Sequence, residues 1–120
     1  MLKKIMVVDD SNLIHKMYHL VMSRYQCEIV SAMHGAEALE LLAVHRDIQL
    51  ILLDINMPVM NGLVTLHEIM NLDPTARVAM VTCIGSQSIV LTALKTGARD
   101  FVTKPMDDDG LLSTVGKLLS

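Results

Sequence analysis

Apolar residues follow two alternating rhythms along the chain. Short continuous runs occupy residues 5–8, 28–32, 50–53, 78–82 and 100–103. Runs this short, without polar alternation, suit strands buried on both faces, as in a parallel sheet. The segments between them have helical period. Residues 12–25 place Leu13, Met17, Leu20, Val21 and Tyr25 at three- and four-residue spacings, the apolar stripe of a helix. Residues 34–45, 63–71 and 86–96 behave similarly, and 110–119 closes the chain with Leu111, Leu112, Val115, Leu118 and Leu119. In 86–96 the spacing predicts Leu91 and Leu94 against the sheet and Ile89 or Val90 outward, where an aliphatic could meet a partner. Five strands, each followed by a helix, give a (βα)5 pattern and an α/β fold of three layers.

The punctuation agrees with this reading. Ser11 is placed to cap the first helix, Gly35 opens the second, and Asn61-Gly62 marks a turn before the third. Ser86 and Ser88 offer caps for the fourth helix, and Gly97 suits a left-handed residue at its end. Residues 107–109 are all aspartate, which puts negative charge where the fifth helix dipole favours it. With 120 residues and no linker or repeat, a single domain over 1–120 is expected.

Composition narrows the functions. Apolar residues make up 52% but aromatics only 2%, namely Tyr18, Tyr25 and Phe101, alongside 10 methionines. The core is therefore expected to be aliphatic and methionine-filled. A net charge of −3 and few rings argue against nucleic-acid binding, which uses basic patches and stacking platforms. Cys27 and Cys83 form no CxxC pair, so a reducing, cytoplasmic setting is expected. No apolar run is long enough to span a membrane, and the N-terminal run is too short for a secretory signal.

In an open parallel sheet, ligands bind beyond the carboxyl ends of the strands. The first predicted strand ends in Asp9-Asp10, the third in Asp54, the fourth in Thr82 and the fifth in Lys104-Pro105. Each of these residues alone would ordinarily cap a helix or make a turn; their joint placement is the signal. Converging carboxylates repel, so they call for a counter-charge, and hard oxygen donors without His or Cys suit Mg²⁺. Lys104 could meet a phosphoryl oxygen as a compact cation and Thr82 could donate a hydrogen bond to another. An aspartate in that setting is a fitting nucleophile towards phosphorus.

Asp9-Asp10, Asp54-Ile55-Asn56-Met57-Pro58, Asn61-Gly62, Val81-Thr82, Gly97-Ala98 and Phe101-Val102-Thr103-Lys104-Pro105 together resemble the receiver domain of bacterial two-component response regulators. The resemblance runs in order over essentially the whole chain. It implies a doubly wound, flavodoxin-like sheet in the order 2-1-3-4-5. It also implies that Asp54 accepts a phosphoryl group from a sensor histidine kinase or phosphotransfer protein. Asp9, Asp10, Asp54 and the backbone carbonyl of Asn56 would hold Mg²⁺, and Thr82 and Lys104 would bind the phosphoryl group. Thr82 and Phe101 would form the switch, and Lys104-Pro105 is a candidate cis peptide. The output would be a changed face of helix four, strand five and helix five, read by a downstream protein or by a second copy as a homodimer. Cys83 stands where Ala or Gly is frequent in the family, and Phe101 where Tyr is frequent. Asn56 and Ile84 occupy places where members differ in the lifetime of the phosphoryl group. Such a protein acts on itself and is not expected to be an enzyme with turnover.

Three other readings are weaker. A degenerate receiver would signal by contacts alone, without phosphorylation. A flavodoxin-like cofactor binder needs a Ser/Thr/Gly-rich phosphate loop after strand one, where Asp9-Asp10 would repel phosphate. An aspartate-nucleophile phosphohydrolase needs a second acid two residues after the nucleophile, and Asn56 stands there. No GxxxxGK[ST] or GxGxxG occurs. His15 and His19, four residues apart, lack a third ligand and read as surface or packing residues. His34, His45 and His67 read as isolated solvated positions.

Overall fold

The apolar runs become five strands and the intervening segments five helices in a computed structural model, which describes residues 3–24, 27–55, 61–82, 87–103 and 108–119. In chain order these are β1 (Lys3–Val8), α1 (Asn12–Met22), β2 (Cys27–Ala32), α2 (Gly35–Val44), β3 (Leu50–Asp54), α3 (Gly62–Leu72), β4 (Val78–Thr82), α4 (Gln87–Thr96), β5 (Asp100–Thr103) and α5 (Asp108–Leu119). Every neighbouring pair is parallel and the order is β2-β1-β3-β4-β5, as the resemblance implied. Parallel neighbours cannot be joined by a tight hairpin, so each return crosses the sheet through a helix. β2 and β3 lie on opposite sides of β1, which makes the carboxyl ends of β1 and β3 the switch point of the fold.

Alternation along β1 sorts the core into two layers. Ile5 and Val7 face Tyr18, Val21 and Met22 of α1 and Val115 and Leu118 of α5, all buried. Met6 and Val8 face the other way, towards Ala38 of α2, Leu66 and Ile69 of α3, and Ala93 of α4. Met6, Met22 and Met80 are among the fully buried side chains, as expected of a core with few rings.

Two helices sit in a different phase from the one their hydropathy predicts. In α1, Leu13 and Leu20 are 75% and 73% exposed, while His15, Tyr18, Val21 and Met22 are buried. The buried set follows helical spacing but includes a histidine and a tyrosine, which a hydropathy pattern discounts. α1 also stops at Met22, where the Ser23 N–H bonds the His19 carbonyl; Tyr25 lies outside the described residues. In α4, Leu91 and Leu94 are exposed, Ala93 is fully buried, and Ile89 packs partly into the core. Close approach is the reason: just beyond the helix, a Cβ on Gly97 would fall 2.9 Å from Met70 Cε, and its φ of +129° also requires glycine. A leucine in place of Ala93 would hold such a helix away. α4 begins at Gln87, so Ser88 lies inside it and is not its cap; Ser86 lies outside the described residues.

Caps fix the starts of α1, α2 and α3; Asp107, ahead of α5, lies outside the described residues. Ser11 Oγ accepts the Ile14 N–H at 3.4 Å, and Asn61 Oδ1 accepts the Val64 N–H at 3.0 Å. His34 is no isolated solvated residue: its Nδ1 accepts the Glu37 N–H at 3.1 Å, and Glu37 Oε1 accepts the Met33 N–H at 2.6 Å. An imidazole lone pair here does the work usually given to Ser or Asp. His45 is also engaged, its Nδ1 lying 3.4 Å from Lys4 Nζ, which pairs with Asp47 at 3.1 Å and Glu28 at 3.7 Å. His67 shares a 3.3 Å hydrogen bond with Asn71. Among the described residues, no helix is long and apolar enough to cross a membrane.

The helix phases set an expectation for stability. Leu13→Gln and Leu91→Gln should each change unfolding free energy by less than about 0.5 kcal/mol, whereas Ile69→Ala should cost about 2–5 kcal/mol, read from urea unfolding. Two surface carboxylates contribute to the acid limb. The hydrogen bond from Lys4 holds Asp47 below the usual carboxylate range, and the Thr75 hydroxyl, at 2.6 Å, does the same for Asp73. A folded pKa below the unfolded one adds stability that is present above about pH 4 and lost as pH falls through the folded value. Replacing both by Asn should flatten the fall of Tm on acidification; curves that superimpose with the parent's would deny them any such part.

Candidate functional site

The switch point carries the acidic residues. Val8 of β1 pairs with Leu53 of β3, so Asp9 and Asp54, each the next residue along, emerge side by side. The Asp9 N–H donates to the Ala32 carbonyl of β2 at 3.1 Å, and Asp9 Oδ1 accepts the Ser11 N–H at 2.9 Å. On the far side, the Ile55 N–H donates to the Val81 carbonyl at 3.1 Å, carrying the β3–β4 ladder past Asp54. One carboxylate oxygen from each of Asp9, Asp10 and Asp54 lies within 4.8 Å of the others. Asp9 and Asp54 are only 3% and 5% exposed, while Asp10 faces solvent.

Two buried carboxylates with a third at the mouth gather three acidic groups in one recess. Three hard oxygen donors with no imidazole or thiolate among them fit Mg²⁺ better than a softer metal. The recess also acts on Tyr18. Burial pushes its hydroxyl pKa well above the ordinary tyrosine range, and the charges of Asp9 and Asp54 push it further. Tyr18 therefore stays neutral beside the site and adds no fourth negative charge.

The other sequence-derived residues distribute as follows. Thr82 ends β4 in register with Thr103 of β5, one position beyond the Asp54–Val81 pair. Phe101 pairs in register with Met80 and packs, half-buried, on the layer formed by α2, α3 and α4. Asn56, Cys83, Ile84, Lys104 and Pro105 lie outside the described residues.

Two residues at the site carry a role that the sequence did not assign them: Gly62, and His15, which read as a surface or packing residue. Gly62 presented itself only as half of a turn dipeptide. It is the first residue of α3, and a Cβ there would lie 2.4 Å from the Asp54 carbonyl oxygen and 2.5 Å from Ile55 Cα. Its N–H donates to the Ile55 carbonyl at 2.8 Å, so α3 is pressed onto the backbone that carries Asp54. The second is His15, buried in α1, with Nε2 2.7 Å from the Asp9 carbonyl oxygen. Its position one helical turn from Ser11, on the face of Tyr18 and Met22, was the available signal.

Comparisons with known proteins converge. Residues 5–116 match the response regulator receiver domain. The chain is 36% identical to the chemotaxis protein CheY of Bacillus subtilis over 100% of both. It superposes on the chemotaxis protein CheY4 of Vibrio cholerae with a TM-score of 0.93 at 27% identity, covering 99% of this chain and 100% of that one. A CheX–CheY–BeF3–Mg²⁺ complex from Borrelia burgdorferi contains a chain 32% identical, with a TM-score of 0.91, covering 98% of this chain and 90% of that one.

The close approach of Gly62 sets an expectation. Gly62→Ala should cost about 1–3 kcal/mol of stability through overpacking and, by displacing Asp54, weaken Mg²⁺ binding measured by calorimetry.

Proposed function

Because the chain belongs to the response regulator receiver domain family, we propose that Asp54 is its phosphoacceptor and that Asp9 and Asp10 share Mg²⁺ with it. The protein is a CheY-type receiver domain, which accepts a phosphoryl group in two-component signalling. The observation that carries the assignment of Asp54 is the convergence of the three carboxylates at the switch point.

The donor is the phosphohistidine of a sensor histidine kinase or phosphotransfer protein. A carboxylate oxygen of Asp54 attacks phosphorus, the P–N bond breaks, and the departing imidazole nitrogen takes a proton from solvent. Bound Mg²⁺ supplies the positive charge that offsets the carboxylates and the phosphoryl oxygens. Asp9, fixed by Ala32 and Ser11, and Asp10 at the mouth leave Asp54 oriented for attack. By resemblance to the family, the backbone carbonyl of Asn56, two residues on, would complete the protein ligands. Thr82 and Lys104 take the phosphoryl oxygens. Their support is placement: Thr82 lies one register position past the partner of Asp54, and Lys104 directly follows Thr103, the partner of Thr82.

Phosphorylation turns one carboxylate into a group of charge about −2 with three strong acceptor oxygens. That change biases an equilibrium between two arrangements of α4, β5 and α5, with Thr82 and Phe101 as the moving parts. A downstream protein or a second copy of the chain reads that face. Residues 1–120 act as one receiver unit in the cytoplasm, changing only their own phosphorylation and turning over no other substrate.

Incubation with acetyl phosphate and Mg²⁺ should add a single phosphoryl group at Asp54, seen by intact-protein mass spectrometry. Asp54→Asn or removal of Mg²⁺ should abolish it, and Lys104→Ala should retain part of it while uncoupling the response. A chain that gains no mass with several phosphodonors would be a degenerate receiver that signals through contacts alone.

A further inference from the structure

Asp9 is held at three points. Its N–H bonds β2, its side chain accepts from Ser11, and its backbone carbonyl oxygen lies 2.7 Å from Nε2 of His15. A carbonyl only accepts, so Nε2 carries the proton and His15 is the donor. The bond spans six residues and ties the first turns of α1 back to the end of β1. It is a side-chain link between that helix and the strand terminus that bears Asp9 and Asp10.

Packing alone does not account for this side chain. His15 is 6% exposed, and its Nδ1 is buried with no hydrogen-bond partner among the described residues. Burying an unpaired polar atom costs free energy that an aliphatic side chain of similar size would not. The other polar atom of the ring, Nε2, is spent entirely on the Asp9 carbonyl.

From this geometry we infer that His15 is a positioning residue of the acidic site. Its Nε2–H fixes the β1–α1 turn so that the Asp9 and Asp10 carboxylates stand beside Asp54. The inference rests on reading that cluster as the Mg²⁺ site. A group that orients a ligand from behind is expected to change metal affinity by about tenfold when lost.

The test compares His15→Leu, which fills the space without a donor, with His15→Gln, whose terminal amide N–H reaches about as far as Nε2. Mg²⁺ affinity is measured by calorimetry, and Tm is measured in EDTA. His15→Leu should raise the Mg²⁺ Kd about tenfold while leaving Tm in EDTA close to the parent's, since losing the buried, unpaired Nδ1 offsets the loss of the donor to the Asp9 carbonyl. His15→Gln should keep the Kd within about twofold of the parent's, since its amide N–H can make the same bond. An unchanged Kd in His15→Leu would overturn the inference, as would equal weakening in both variants or a Kd loss matched by a fall in Tm. A parent protein that binds no Mg²⁺ would instead overturn the metal reading beneath it, so the two failures are told apart.

Discussion

Mutual repulsion of three carboxylates at one end of the sheet is the constraint around which the molecule is built. Two like charges about 4 Å apart repel by about 4 kcal/mol at an effective dielectric of 20, and Asp9 and Asp54 are withdrawn from water as well. Their positions come from the backbone: β1 and β3 are hydrogen-bonded neighbours, the Asp9 amide is tied to β2, and Gly62 lies flat against the Asp54 carbonyl. The apolar core therefore holds a charge arrangement that would disperse in an unfolded chain, and that a bound cation would relieve.

The two faces of the sheet meet their helices differently. On one side the contacts are large: Tyr18, Val21 and Met22 from α1, Val115 and Leu118 from α5. On the other, α3 brings Leu66 and Ile69, while α2 contributes Gly35 and Ala38 and α4 contributes Ala93. Small residues let backbones approach closely, which explains how a chain almost without rings still fills its interior. Of its three aromatics, Tyr18 lies beneath the acidic recess and Phe101 beside α4.

Strands were legible to within a residue or two because a strand buried on both faces is simply a continuous apolar run. Their order was not legible from periodicity, since nothing local in β1 records that β3 and not β4 lies beside it; the family resemblance supplied it. The phases of α1 and α4 misled for one shared reason. Their buried faces carry His15, Tyr18 and Ala93, whose burial is decided by what lies opposite and not by hydropathy. At the site, Asp9, Asp10 and Asp54 were readable because strand ends in this architecture converge by topology. Gly62 and His15 were not, because both act on backbone carbonyls, and a contact to backbone leaves no partner residue in the sequence to pair with.

The shallow seating of α4 bears on where the native state yields first. α3 is anchored by Leu66 and Ile69 and by its contact with the end of β3, whereas the fully buried hydrophobe of α4 is Ala93, with Leu91 and Leu94 already in water. Lifting α4 from the sheet would newly wet less of its own apolar side-chain surface than lifting α3 would, and the free energy of a local opening rises with the apolar surface exposed. The amides of α4 thus belong to the low end of the opening-energy ladder and those of α3 to the high end. A signal that reaches α4 meets a helix seated by Ala93 and the partly buried Ile89 rather than by large, fully buried side chains, so a modest energetic push is felt there.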